Sequence, residues 1–205
     1  VCSSDLNRAA EFTMILTVPA SVALVAIPGL IVGVLFERGA FTSADTQATA
    51  LALAIYALGL PSFVLQKVLQ PAYFAREDTR TPLRFAIVSM IVNVALAIGL
   101  APVAGFLAAA IGTTLAGWAN TALLWRGVRK LDPDLTIDNR LANRLPRIVI
   151  ASAIMGVAAW AMTNGLQAVI PGQTIAILAL VLPASIVLYF ALAIGLGAFL
   201  PSDLK

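Results

Sequence analysis

The chain has no histidine, and its one cysteine, Cys2, sits in a polar amino-terminal stub. Those two absences exclude a disulfide framework and a Cys/His metal centre. Charge is scarce too. Only 11% of the 205 residues are charged, where a soluble domain carries about 25%. No serine or cysteine stands beside a plausible base, no carboxylates pair inside an apolar run, and no glycine-rich phosphate loop ends in a lysine. No catalytic constellation survives, so neither enzymatic activity, nor a cofactor, nor a nucleic-acid partner is expected.

Hydrocarbon is what the chain has instead: 60% of its residues are hydrophobic and its mean hydropathy is +0.96. Apolar runs at about 12–36, 43–74, 82–100, 106–125, 146–163 and 174–200 approach or exceed the ~20 residues that cross a ~30 Å hydrocarbon core. The expectation is an all-α, polytopic membrane protein built as a six-helix bundle. The chain begins at Val1 with no basic region leading into a short apolar core, which reads as an internal start, with residues 1–6 as candidate junction sequence.

The turns have recognisable chemistry. Gly39, after Glu37-Arg38, suits a left-handed helix end, and Thr42 with Asp45 has capping-box spacing. Thr81 is placed to cap the third helix, with Pro82 at its first position. Ala101–Gly105 is an uncharged turn, and 126–147 is the longest polar segment, turning at Asp132-Pro133-Asp134. With alternating spans, eleven of the thirteen basic residues, Arg8, Arg76, Arg80, Arg84, Arg126, Arg129, Lys130, Arg140, Arg144, Arg147 and Lys205, fall on one side. Arg38 falls on the other and Lys67 lies within a span. The positive-inside rule makes the first side cytoplasmic.

Within the spans, Ala108, Gly112, Ala116 and Asn120 form one small-residue face, and Ser152 with Gly156 forms a second small pair. Both read as packing seams, because helices in lipid associate through close backbone approach. Asn93 and Asn120 read as interhelical hydrogen-bonding groups, and Trp118, Trp125 and Trp160 as interface anchors or packing residues. Interior prolines at 19, 28, 61, 71 and 183 favour a protein that bends.

The most informative stretch is 56–82. Lys67 sits between Pro61 and Pro71, with Gln66 and Gln70 beside it. Pro71 has no N–H, so the carbonyl of Lys67 loses its helical partner. A charge at the bilayer centre costs roughly 2.5–3.5 kcal/mol on insertion scales. Lys67 therefore either snorkels to the headgroups or lines a polar cavity with Gln70 and Asn93. Arg76, Asp78 and Arg80 belong to the charged turn that follows, which is at least a topology determinant.

Two turns, FERGAFT at 36–42 and YFAREDTRTP at 73–82, resemble those of the MurJ/MviN family of bacterial lipid II flippases, and GWANTALLWRGVRK at 117–130 is a weaker match. The likeness extends from about Leu6 onward. It implies a fourteen-helix fold of two six-helix lobes and a final pair, with this chain corresponding to helices nine to fourteen. Residues 1–130 would then be lobe helices lining a central cavity, and 131–205 the final pair with a groove for a polyprenyl tail. The implied partners are a lipid-linked oligosaccharide like lipid II, membrane lipids, and the amino-terminal lobe of the same protein in the bacterial cytoplasmic membrane. A polysaccharide-precursor exporter of the same superfamily and a non-transporting membrane scaffold are the alternatives. The former is not expected to carry both turns, and the latter calls for neither interior prolines nor Lys67.

Overall fold

The computed structural model describes residues 3–131 and 139–198. The turn at Asp132-Pro133-Asp134, Cys2, and the end at Pro201-Ser202-Asp203 lie outside them. Among the described residues there are seven helices: α1 (Ser3–Ala26), α2 (Pro28–Phe36), α3 (Ser43–Phe74), α4 (Arg80–Ala104), α5 (Leu107–Leu131), α6 (Asn139–Val169) and α7 (Thr174–Gly195). Six, all but α2, are long and apolar enough to cross a membrane, and the described residues contain no strand.

The first expected helix is broken at Ile27, whose φ of −130° and ψ of 42° are not helical. Pro28-Gly29 puts two poor helix formers together there, yet Ile27 N–H still donates to Ala23 at 3.1 Å. The result is a kink with α2 continuing beyond it. Prolines 19, 61, 71, 102, 146 and 183 all lie inside helices. Membrane helices tolerate them where neighbours satisfy the freed groups.

The expected start of α3 is borne out: Thr42 N–H and hydroxyl both donate to Asp45 Oδ2, at 2.9 and 2.7 Å, and Asp45 N–H reaches back to Thr42 Oγ1. Gly39 adopts a φ of +64°. The start of α4 differs from expectation. Its first residue is Arg80, the cap Thr79 makes no side-chain bond, and Asp78 Oδ1 accepts the Thr81 N–H at 3.0 Å. Pro82 is then the third helical residue, still among the first four whose N–H groups have no helical acceptor. The fourth helix continues to Ala104 and is closed by Gly105 at φ +55°. Helix α6 begins seven residues before Pro146, and its first turn is anchored by a 3.2 Å ion pair from Arg140 to Glu11 of α1.

The chain divides into two compact units. One holds residues 3–17, 58–131 and 139–143 and is built on Leu6, Leu69, Tyr73, Leu124 and Val128. Tyr73 is fully buried, donates its hydroxyl to the Leu124 carbonyl at 2.7 Å, and meets Phe85 edge-on. The other holds 18–57 and 144–198, with Ile27, Leu30, Ala159, Ile177 and Val181 at its centre. Here Ser21 bonds the Ala57 carbonyl at 2.6 Å, and Gly156 lies against Val22. Ser152 is fully buried, so the expected α6 seam exists.

Candidate functional site

The polar chemistry of the spans concentrates where α3, α4 and α5 meet in the first unit. Helix α5 supplies the small face expected of it: Ala108 and Ala116 are buried, and a Cβ at Gly112 would stand 2.9 Å from Asn93 Oδ1 and 3.2 Å from the Ala97 nitrogen of α4. Gly117 does the same toward α3, where a Cβ would meet Phe63 at 2.7 Å and Ser62 Oγ at 2.8 Å. Backbones this close bring side chains within reach of main-chain acceptors. Gln66 Nε2 donates to the Gly117 carbonyl at 2.9 Å, Thr121 to Ser62 at 3.0 Å, Ser89 to Ala116 at 2.8 Å, and Trp118 Nε1 to Leu58 at 3.0 Å. Asn120 Nδ2 donates to Gln66 Oε1 at 2.8 Å.

A cleft of about 240 Å³ opens between these helices, bordered by the polar side chains Gln66, Ser89, Asn93 and Thr113. Asn93, half-buried, forms no hydrogen bond among the described residues, whereas Asn120 is the interhelical group expected. Lys67 lies elsewhere. It is exposed on the row of α3 that also carries Pro71 and Phe74, three residues spaced to share one face. It makes no hydrogen bond or ion pair among the described residues, and neither does the half-buried Gln70. Gln66, expected to add polarity beside Lys67, is turned onto α5 instead.

The charged turn after α3 has its own geometry. Glu77 N–H donates to Phe74 and Asp78 N–H to Tyr73, at 3.0 and 3.1 Å, with Glu77 at φ +59°. That is a Schellman ending with glutamate where glycine is usual. Asp78 then caps α4. The Thr81 side chain foremost, then the Thr81 and Arg80 N–H groups and the Arg84 charge, hold its carboxyl below the usual range. Arg76 and Arg80 are exposed. No group of three or more His, Cys, Asp or Glu side chains close enough to hold a metal occurs among the described residues.

Sequence reasoning missed the Glu11–Arg140 pair, in which the Glu11 side chain is 6% exposed and that of Arg140 41%. Its signal was an acid at the head of an apolar run, with a basic residue on the same predicted side.

The protein-family model described as Lipid II flippase MurJ matches residues 2–196. A protein of Rhizobium meliloti (strain 1021) named probable lipid II flippase MurJ is 43% identical over 201 residues, 93% of this chain and 36% of its own length. One of the same name from Rhizobium tropici is 42% identical over 150 residues, 73% of this chain and 28% of its own. A solved structure titled lipid II flippase MurJ, inward closed conformation, superposes with a TM-score of 0.77 at 26% identity, covering 92% of this chain and 37% of that one. The chain thus spans about a third of the length of these relatives. With the family model matching 2–196, both marker turns included, the chain belongs to the MurJ lipid II flippase family.

Proposed function

We propose that this chain is the carboxy-terminal part of a lipid II flippase, which carries a lipid-linked peptidoglycan precursor across the bacterial cytoplasmic membrane. The observation that carries the reading is Lys67: a cation on an exposed row of a membrane span, with no partner among the described residues, in a family whose named members move a pyrophosphate-linked lipid. A desolvated cation without a counter-ion is costly in hydrocarbon and is compensated when a phosphate group passes it. Lys67 and Gln70 would line a central cavity, with Asn93 in the cleft behind them. The remaining length of the relatives would supply the opposing lobe, and α6 with α7 a groove for the polyprenyl tail. The turn of Arg76, Asp78 and Arg80 would face the cytoplasm.

The test is growth of a strain depleted of its own flippase. The full-length protein should restore growth, and residues 1–205 alone should not, since a cavity between lobes needs both. Lys67→Glu should impair rescue more than Lys67→Gln, because a negative group repels a pyrophosphate while a neutral one only loses attraction. Normal growth with both variants at normal protein levels would overturn the role of Lys67. Orientation is checked separately: single cysteines at 39–42 should react with a membrane-impermeant thiol reagent added to intact cells, and those at 76–81 should not.

A further inference from the structure

Helix α4 carries a second arrangement that the flippase reading leaves unused. One of its faces packs on α5 through Ser89, Asn93 and Ala97. On the opposite face Arg80, Arg84, Ile87, Ile91 and Ile98 stand at helical spacing in a single stripe, and every one of them is exposed. Ile91 is 59% exposed and Ile98 70%, and none of the apolar window of α4 is buried within the chain. The stripe is thus polarised along its length, with two guanidinium groups at the amino-terminal end and branched hydrocarbon for the rest.

We infer that this face binds an anionic phospholipid of the cytoplasmic leaflet, its phosphate held by Arg80 and Arg84 and one acyl chain laid along Ile87 to Ile98. Charge complementarity selects the occupant. Neither guanidinium makes a hydrogen bond or a close ion pair among the described residues; the Arg80 backbone N–H bonds Asp78, and Arg84 feels the Asp78 charge without touching it. The acids nearest in sequence are Glu77 and Asp78, and the Asp78 carboxylate is engaged by Thr81. Each guanidinium offers five N–H donors in a fork that matches two phosphate oxygens. Arg126, Arg129 and Lys130, all exposed, lie at the carboxy-terminal end of α5, which runs antiparallel beside α4, and add positive potential at the same end.

The dimensions agree as well. At 1.5 Å per residue, Arg84 to Ile98 covers about 21 Å, which spans a headgroup and a leaflet of about 15 Å of hydrocarbon. A neutral lipid would leave the two arginines without a counter-ion at the interface. A protein helix packed on this face would have to bring its own acid to the level of Arg84. The inference rests on α4 spanning the membrane with Arg84 at its cytoplasmic end, and not on the transported substrate.

The test uses the full-length protein in lipid nanodiscs containing no precursor. An Ile91→Trp variant supplies a local fluorophore, and the spectrum of the protein with Ile91 intact is subtracted. Quenching by acyl-brominated phosphatidylglycerol should show about 25-fold tighter association than quenching by brominated phosphatidylcholine, the scale expected for two arginines near an anionic surface at about fivefold each. Arg80→Gln/Arg84→Gln should abolish the preference with the melting temperature unchanged, and Arg80→Lys/Arg84→Lys should keep most of it. Equal quenching by both lipids, or a preference that survives the double glutamine change, would overturn the proposal. So would an absence of quenching by either lipid, which would mean that protein covers α4. Failure of Lys67 variants to impair transport would leave this result untouched.

Discussion

The α3–α5 seam and the α2–α7 contact are both helix-on-helix, yet different forces hold them. In the first, Gly117 lets the backbones approach, and Gln66, Trp118 and Thr121 bond across to main-chain carbonyls. In the second, Ile27, Leu30, Ile177 and Val181 interlock with no hydrogen bond among them. Lipid tails are as apolar as leucine, so burying hydrocarbon in a bilayer gains little beyond packing. The α2–α7 contact therefore depends on fit alone. The α3–α5 seam adds polar bonds that lipid would leave unmade, and with them one register.

The comparison breaks most sharply at Gly117. Gly117→Leu forces its side chain into Phe63 and Ser62 and should cost about 3 kcal/mol, the upper range for overpacking. The readout is the midpoint of denaturant unfolding in detergent, and an unchanged midpoint would mean that the seam has slack. Ile177→Ala, in the dry contact, should cost less, about 1–2 kcal/mol, because the cavity term remains while most of the transfer term of water-soluble cores is missing. Should the Ile177 change prove the larger, the distinction between the two contacts fails.

Gln66→Leu sharpens the comparison at intermediate size. It removes one donor and one acceptor and leaves Asn120 Nδ2 unpaired. Interhelical bonds in membranes average about 0.6 kcal/mol each, so the expected loss is roughly 1 kcal/mol. The loss should shrink in an Asn120→Leu background, which a double-mutant cycle reads directly. The smallest effect has the opposite sign. Glu77 holds φ at +59°, a conformation that costs a side-chain-bearing residue about 1 kcal/mol relative to glycine. Glu77→Gly should raise the midpoint slightly, and a lowered one would show that the Glu77 side chain stabilises the turn.

How far the sequence could be read depended on the range of the interaction. The Thr42–Asp45 box, the turn at Gly39 and the small face of α5 involve residues within a few positions of one another, and all three are present as expected. Helix ends were harder. Pro146 looks like a start and is an interior residue, because the turn before it is held by a pair with Glu11 far away in the chain. Asp78 displaced Thr81 as the cap of α4 because the Schellman ending of α3 delivers its carboxylate to the Thr81 N–H.

At the candidate site the division has the same cause. That Lys67 lies inside a span is a property of composition and length, and any chain with this order of apolar runs would place it there. Which of its neighbours shares its surroundings is not. Gln66 and Gln70 look equivalent in the sequence, yet Gln66 reaches the Gly117 carbonyl while Gln70, one turn further along α3 and about 40° round it, has no partner among the described residues. The hydropathy of the segments determined by itself that the chain crosses the membrane and where, because transfer to hydrocarbon is additive along a helix. Only the tertiary structure decided which polar groups serve packing and which remain available to a ligand, because a hydrogen bond requires a partner within about 3 Å.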